Sequence, residues 1–355
     1  MKKLAVILPM LFALCFAVLC GCGGGEASLF YNALSWSAAG EGPYLVYDGE
    51  TLLAETDVPA VLLPRAGGRT VTVYRSENGG RGKLLHTVQY DGPVYGEKVF
   101  CGSEELEDYV RDGAVYLYGA QHFVFDYGKT ALDVFPGVVY VASDVKKLTF
   151  RSEGRVTVQA DICIRARTDA FELELENVTL QGAGERHAAV SFDEGAEDTT
   201  LILGLYGLYN AVLCGYNAED GADGHADGFL VHGGNGGAGE TGGSAVRVDT
   251  LLLLSQSDAR FSGGGGGDGG NGGDASGLNS HGSGGRGGDG GSAIVCDKLE
   301  YFLLGTVEAA GGPGGKGGKE GSGGLTFERG PGAEGAAGIG ISAAETIAHW
   351  GELVS

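Results

Sequence analysis

From Gly263 to Asp274 the chain reads Gly-Gly-Gly, Gly-Gly-Asp, Gly-Gly-Asn, Gly-Gly-Asp, two glycines and one variable residue in strict phase. A period of three fits neither an α-helix nor a β-strand. It fits polyproline II geometry, with three residues per turn and about 3.1 Å of rise per residue. Two edges of such a helix are then bare glycine, and the third carries Asp268, Asn271 and Asp274. Bare edges let backbones approach closely, and the backbone N–H and C=O groups must then bond a neighbouring segment or water.

The same phase recurs in Gly233–Gly243, Gly284–Gly291 and Gly311–Gly318. A flexible glycine linker is the alternative. Two features favour order: the strict phase, and a repeat in which Gly243–Leu251 matches Gly291–Leu299 at an offset of 48. The pattern resembles the polyglycine II bundles of glycine-rich antifreeze proteins and of some phage tail-fibre tip adhesins. That resemblance covers one motif over part of the chain.

The first residues read as a targeting signal: Lys2 and Lys3, an apolar stretch Leu4–Val18 too short to span a bilayer comfortably, then Leu19-Cys20-Gly21-Cys22. This resembles a bacterial lipoprotein signal, residues 1–21. The resemblance implies cleavage before Cys22, lipidation of its thiol, a tether over 22–29, and a location on the outer face of the cell membrane. Cys20 is an alternative junction, with the bulky Leu19 in front of it. Loss of Lys2 and Lys3 takes the net charge from −22 to −24, which makes nucleic acid and anionic lipid poor partners. Of seven cysteines, Cys101, Cys163, Cys214 and Cys296 remain after Cys15, Cys20 and Cys22. They form no C-x-x-C pair, so buried free thiols are expected, with room for one bridge.

Residues 30–92 carry short runs rich in β-branched and aromatic residues, divided by Gly, Asp and Pro turns. Leu34-Ser-Trp36, Tyr44-Leu-Val-Tyr47 and Thr70-Val-Thr-Val-Tyr74 resemble a fibronectin type III domain, which implies a small β-sandwich with Trp36 in its core. Ser103–Val110 reads as a brief helix. Beyond it, short apolar strands follow one another, and Val124, Leu148, Leu173 and Leu201 recur at gaps of 24, 25 and 28. Leu251, Leu299 and Ile347 continue the set at gaps of 50, 48 and 48. A period in the twenties is the mark of a solenoid. The expected fold is all-β: the sandwich, then a right-handed parallel β-helix over 93–216. Over 217–355 its rungs would extrude three glycine-rich hairpins.

Candidate ligand-binding residues are Asp161, Arg165 and Arg167, the two arginines lying opposite Ile162 and Ile164. Glu172, Glu174 and Glu176 alternate with Leu173 and Leu175 as an outward, solvated face would. Asp220, Asp223 and Asp227 form the densest set of oxygen ligands, and calcium is the ion such a set would take. Gly269–Asp274 matches part of a calcium-binding nonapeptide but departs from it at Ser276. No H-E-x-x-H, G-x-S-x-G or Walker motif occurs.

The layout as a whole resembles surface lipoproteins of gut-type Gram-positive bacteria that carry carbohydrate-binding β-helix domains. It implies a non-catalytic protein, anchored through Cys22, whose partner is a polysaccharide or a host or cell-surface ligand. A polysaccharide lyase or hydrolase on the same scaffold, and a structural envelope protein, are the alternatives.

Overall fold

The computed structural model describes residues 27–37, 42–64, 67–101, 103–128, 137–165, 169–184, 188–193, 199–207, 211–225, 232–275, 279–323 and 329–355. The signal segment and Cys22 lie outside them. The chain divides into two compact units, Met1–Val94 and Tyr95–Ser355. Both are β-structures, and no α-helix occurs among the described residues. The boundary expected at 92 therefore moves to 94, and the stretches 93–216 and 217–355 belong to one unit.

Among the described residues the first unit holds seven strands: β1 (Ala27–Phe30), β2 (Ala33–Trp36), β3 (Tyr44–Asp48), β4 (Thr51–Thr56), β5 (Ala60–Leu62), β6 (Gly68–Glu77) and β7 (Gly80–Asp91). They form two antiparallel sheets, in the orders β1-β2-β5 and β4-β3-β6-β7. Alternate residues of both sheets meet in one apolar cluster that includes Leu34, Trp36, Tyr44, Val46, Val71, Val73 and Val88. Trp36 is 4% exposed and meets Tyr44 edge to face at 5.4 Å, a favoured aromatic geometry. It is a core residue, as expected. Strand β1 is a correction: it begins at Ala27, inside the stretch read as a tether.

In the second unit three parallel ladders are built by strands that return to them coil after coil. The first joins Glu97–Phe100, His122–Asp126, 147–151, 171–176, Thr200–Tyr206, Thr250–Ser255, 298–303 and 345–350. The second joins 156–159, 178–181, Ala211–Cys214, Ala259–Ser262, Val307–Ala310 and Leu353–Val354. The third joins Ala114–Leu117, Val138–Val141, Asp161–Ile164, Ala188–Phe192, Ser244–Arg247, 294–296 and 341–343. Parallel pairing in register places like residues above like. Phe100, Phe125 and Phe150 form an inner column, with Phe125 and Phe150 stacked at 5.0 Å. Val115, Val139, Ile162, Val190, Val246 and Ile294 form another, all within one core.

The periodic set read from the sequence is partly in register. Leu201, Leu251 and Leu299 are true column partners, and so are Leu148 and Leu173. Leu173 itself pairs with Leu203, a slip of two that keeps the face. Val124 pairs with Thr149 and Ile347 with Glu300; a slip of one moves both to the outer face, because side chains alternate along a strand. The brief helix is a 3-10 turn over Ser103–Tyr109. Its Leu106 and Tyr109 are buried against the first coil, and the Glu105 carboxylate accepts the Cys101 N–H at 2.7 Å.

In the last three coils the connections from the second ladder to the third are the glycine segments. They run out and back as six legs: 215–225, 232–243, 263–275, 279–291, 311–323 and 329–340. Leg three shows the bonding rule. The first glycine of a triplet donates to a parallel leg (Gly266 N–H to Pro313 O, 2.9 Å), and the second to an antiparallel leg (Gly267 N–H to Glu240 O, 2.9 Å). The outer residue donates to a side chain one coil earlier, Asp268 N–H to Asp220 Oδ1 at 2.7 Å. That side-chain ladder continues from Asp268 to Lys316 N–H and runs beside Asp223–Asn271–Lys319. Asp or Asn recurs in the outer position because a short side chain with an acceptor oxygen spans one leg spacing. Replacing Asp268 by alanine should cost about 1 kcal/mol by stranding one amide, and Asp268→Asn should cost almost nothing. Urea midpoints of the two variants check this; equal losses would refute the ladder's role.

Candidate functional site

Of the predicted ligand-binding set, Asp161 and Arg165 lie among the described residues. Asp161, Cys163 and Arg165 share the side of the third ladder opposite Ile162 and Ile164. Asp161 is fully buried, and its Oδ1 accepts the Ala183 N–H at 2.9 Å. The Arg165 side chain is 73% exposed and faces Asp193 at 3.9 Å. The Cys163 thiol also donates to Asp193, at 2.8 Å. Arg167 lies outside the described residues. The Asp161 carboxylate thus holds a backbone amide while the Arg165 side chain is largely in solvent.

Asp220 and Asp223 share one edge of leg one, as the three-residue period requires. Each offers its Oδ1 to a backbone N–H of leg three. Asp227 lies outside the described residues, and among those described no three His, Cys, Asp or Glu side chains are grouped to hold a metal ion. The four remaining cysteines are free thiols; Cys163 and Cys296 are buried, and Cys101 is exposed rather than buried. Burial pushes the Cys296 thiol up to about 11, with Asp297 adding to it.

Sequence reasoning missed a polar network on the outer face of the first ladder. Glu97, His122, Lys147 and Glu172 occupy one register column, with Thr149 and Glu174 in the next. His122 Nε2 lies 2.9 Å from Thr149 Oγ1, and its Nδ1 lies 3.5 Å from Glu97. Thr149 Oγ1 donates to Glu174 at 3.3 Å. Lys147 Nζ pairs with Glu174 at 2.7 Å, and the Tyr95 hydroxyl reaches Glu172 at 3.4 Å. Of the face expected to be solvated, Glu176 is exposed, Glu174 is partly buried and Glu172 is 4% exposed. Opposite charges stacked in one column offset the loss of water that burial imposes. Burial, aided by Lys147 and Arg151, lowers the His122 pKa to about 4; Glu97 opposes this but is half exposed and screened by solvent. The signal was present in the sequence: positions 97, 122, 147 and 172 are each one 25-residue coil apart.

No protein-family model, curated protein or solved structure matches the chain. The functional reading therefore rests on the chain's own chemistry.

On the first unit, the outer face of β3, β6 and β7 forms an open groove lined by Asp48, Arg69, Thr72, Tyr74, Arg81 and Gln89. The Arg81 guanidinium lies 3.8 Å over the Tyr47 ring and pairs with Glu50 at 3.0 Å. Tyr47 and Tyr74 meet edge to face. This face therefore presents ring, guanidinium, carboxylate and amide groups side by side.

Proposed function

We propose that this chain is a non-catalytic surface lipoprotein that binds glycans or other surface ligands, held to the outer face of the membrane through lipidated Cys22. In this reading the first unit is a fibronectin type III-like β-sandwich, and Tyr95–Ser355 is a right-handed parallel β-helix with polyproline II-like glycine hairpins. The observation that carries it is the bonding of every backbone N–H in the leg-three triplet Gly266–Asp268, which makes the glycine region a rigid platform. Its outer residues stand in rows about 9 Å apart along each leg, three residues at the polyproline II rise. Regular outer faces of this kind suit an extended polymer, and the groove on the first unit is a second, separate contact surface. The strongly acidic balance favours neutral or cationic ligands over anionic ones.

The test is a glycan and host-matrix panel probed with the protein lacking residues 1–22. Binding that weakens about tenfold or more in Tyr74→Ala, Arg69→Ala or a leg-disrupting variant is expected. No binding anywhere on the panel would remove the reading. Lipidation is checked separately, by palmitate labelling that is lost in Cys22→Ser.

A further inference from the structure

The glycine positions in the six legs follow a directional rule. A Cβ added at the first glycine of a triplet would point at the next leg in chain order: 2.1 Å from Gly288 O for Gly266, and 2.1 Å from Gly335 O for Gly314. A Cβ added at the second glycine would point at the leg two before: 1.8 Å from Glu219 O for Gly267, and 2.0 Å from Gly264 O for Gly312. No side chain fits at such distances, so glycine is obligatory wherever a leg stands in that direction.

The rule also says where glycine is not needed. Leg six has no successor, and its first positions are Pro331, Glu334 and Ala337, all exposed. Leg one has no leg two before it, and its second positions are Glu219, Ala222 and His225, again all exposed. Leg two likewise has no leg two before it, and of its second positions Gly234, Gly237, Glu240 and Gly243 only Glu240 carries a side chain. Ala218, at the root of leg one, is the exception. Leg six keeps glycine at its second positions, where Gly332, Gly335 and Gly338 abut leg four.

We infer that the bundle is built to stop at its sixth leg, with the face beyond leg six and the leg-one part of the opposite face shut against any further Gly-Gly-x segment, whether from a second copy of this chain or from another protein. A seventh leg beyond leg six would meet the side chains of Pro331, Glu334 and Ala337. This is the edge protection that sheets achieve with charge and proline, transposed to a three-fold lattice. Free Gly-Gly-x ends would otherwise template one another. The inference concerns the bundle itself and stands apart from the ligand-binding reading.

The test compares the full chain with the triple variant Pro331→Gly, Glu334→Gly, Ala337→Gly. A second triple variant, Glu219→Gly, Ala222→Gly, His225→Gly, opens the other face. Sedimentation reads self-association, capture of a synthetic Gly-Gly-Asn repeat peptide reads leg addition, and amide exchange reports whether the bundle is intact. The wild-type chain is expected to leave the peptide unbound and not to associate through the bundle. Each variant is expected to keep its amide protection and either to bind the peptide or to form larger species. Three outcomes would overturn the inference. The wild type could bind the peptide, or both variants could stay protected while neither binds nor associates. Loss of protection in both variants would also overturn it, because the rule says these positions face no leg and tolerate glycine.

Discussion

Replacing Gly288 by alanine is expected to unravel the glycine bundle, whereas replacing Gly265 by alanine should leave it intact. A Cβ at Gly288 would sit 1.7 Å from the Glu240 carbonyl oxygen and 2.5 Å from its carbon. That obstacle is backbone, already receiving the Gly267 N–H, and it cannot swing aside as a side-chain tip could. Leg four is also bonded to legs three and six on its other sides, so moving it away breaks those bonds. Overpacking a rigid interior costs about 1–3 kcal/mol where neighbours can yield, and here they cannot, so about 3 kcal/mol or more is expected. Gly265 occupies an outer position, where an added Cβ would meet nothing closer than 3.5 Å. Its substitution should change stability by less than about 0.5 kcal/mol. Urea denaturation gives the magnitudes, and amide exchange should show Gly288→Ala losing protection across the legs first while the coils from Phe100 to Leu205 keep theirs. Equal behaviour of the two variants would mean that the legs are not packed as described.

The second large effect is acid destabilisation through His122. Its folded pKa of about 4 lies below the usual histidine value near 6.5. Between those two pH values the unfolded chain takes up a proton that the folded chain refuses, so stability is full above about pH 6.5 and falls as the pH drops towards 4. A gap of that size corresponds to about 3 kcal/mol at the lower end. Urea midpoints measured between pH 7.5 and 4 should show the slope, and His122→Gln should flatten it. A variant retaining the full slope would show that His122 is not the group responsible. Carboxylates contribute in a separate, lower window. The Ser322 backbone N–H, with the Ser322 hydroxyl, holds the Asp274 carboxyl below its ordinary value, so its contribution disappears only as the pH falls below the carboxylate range.

Much of the fold was legible because parallel stacking repeats its demands every coil. The short apolar strands expected beyond Ser103–Val110 are found there, among them Val138–Val141, Asp161–Ile164 and Thr200–Tyr206. The offset of 48 between Gly243–Leu251 and Gly291–Leu299 is the register between successive coils, seen in Val246 opposite Ile294. Errors arose where spacing alone could not separate a face from its opposite. Val124 and Ile347 were placed one residue out, and apolar residues occur on both faces of the first ladder. The acidic run Glu172–Glu176 looked solvated because its partner Lys147 is 27 residues upstream of Glu174 and becomes its neighbour only when two coils stack.

The sites were less legible than the fold. Asp161 looked like a binding carboxylate because its sequence neighbours include Arg165 and Arg167. Its hydrogen-bonding partner is the backbone of Ala183, one coil later. Asp220 and Asp223 were read as cation ligands because a three-residue period puts them on one edge, and their Oδ1 atoms accept amides of leg three.

By itself the amino-acid order determined the three-residue geometry of the legs, the coil length, and the positions where a side chain is forbidden, because each follows from local sterics and repeats in one dimension. Only the tertiary structure decided which leg lies against which, which carboxylates are spent on backbone amides, and which outward charges are buried. Those outcomes depend on what stands one coil away, and a hydrogen bond or a steric clash acts over a few ångströms of space, whatever the separation along the chain.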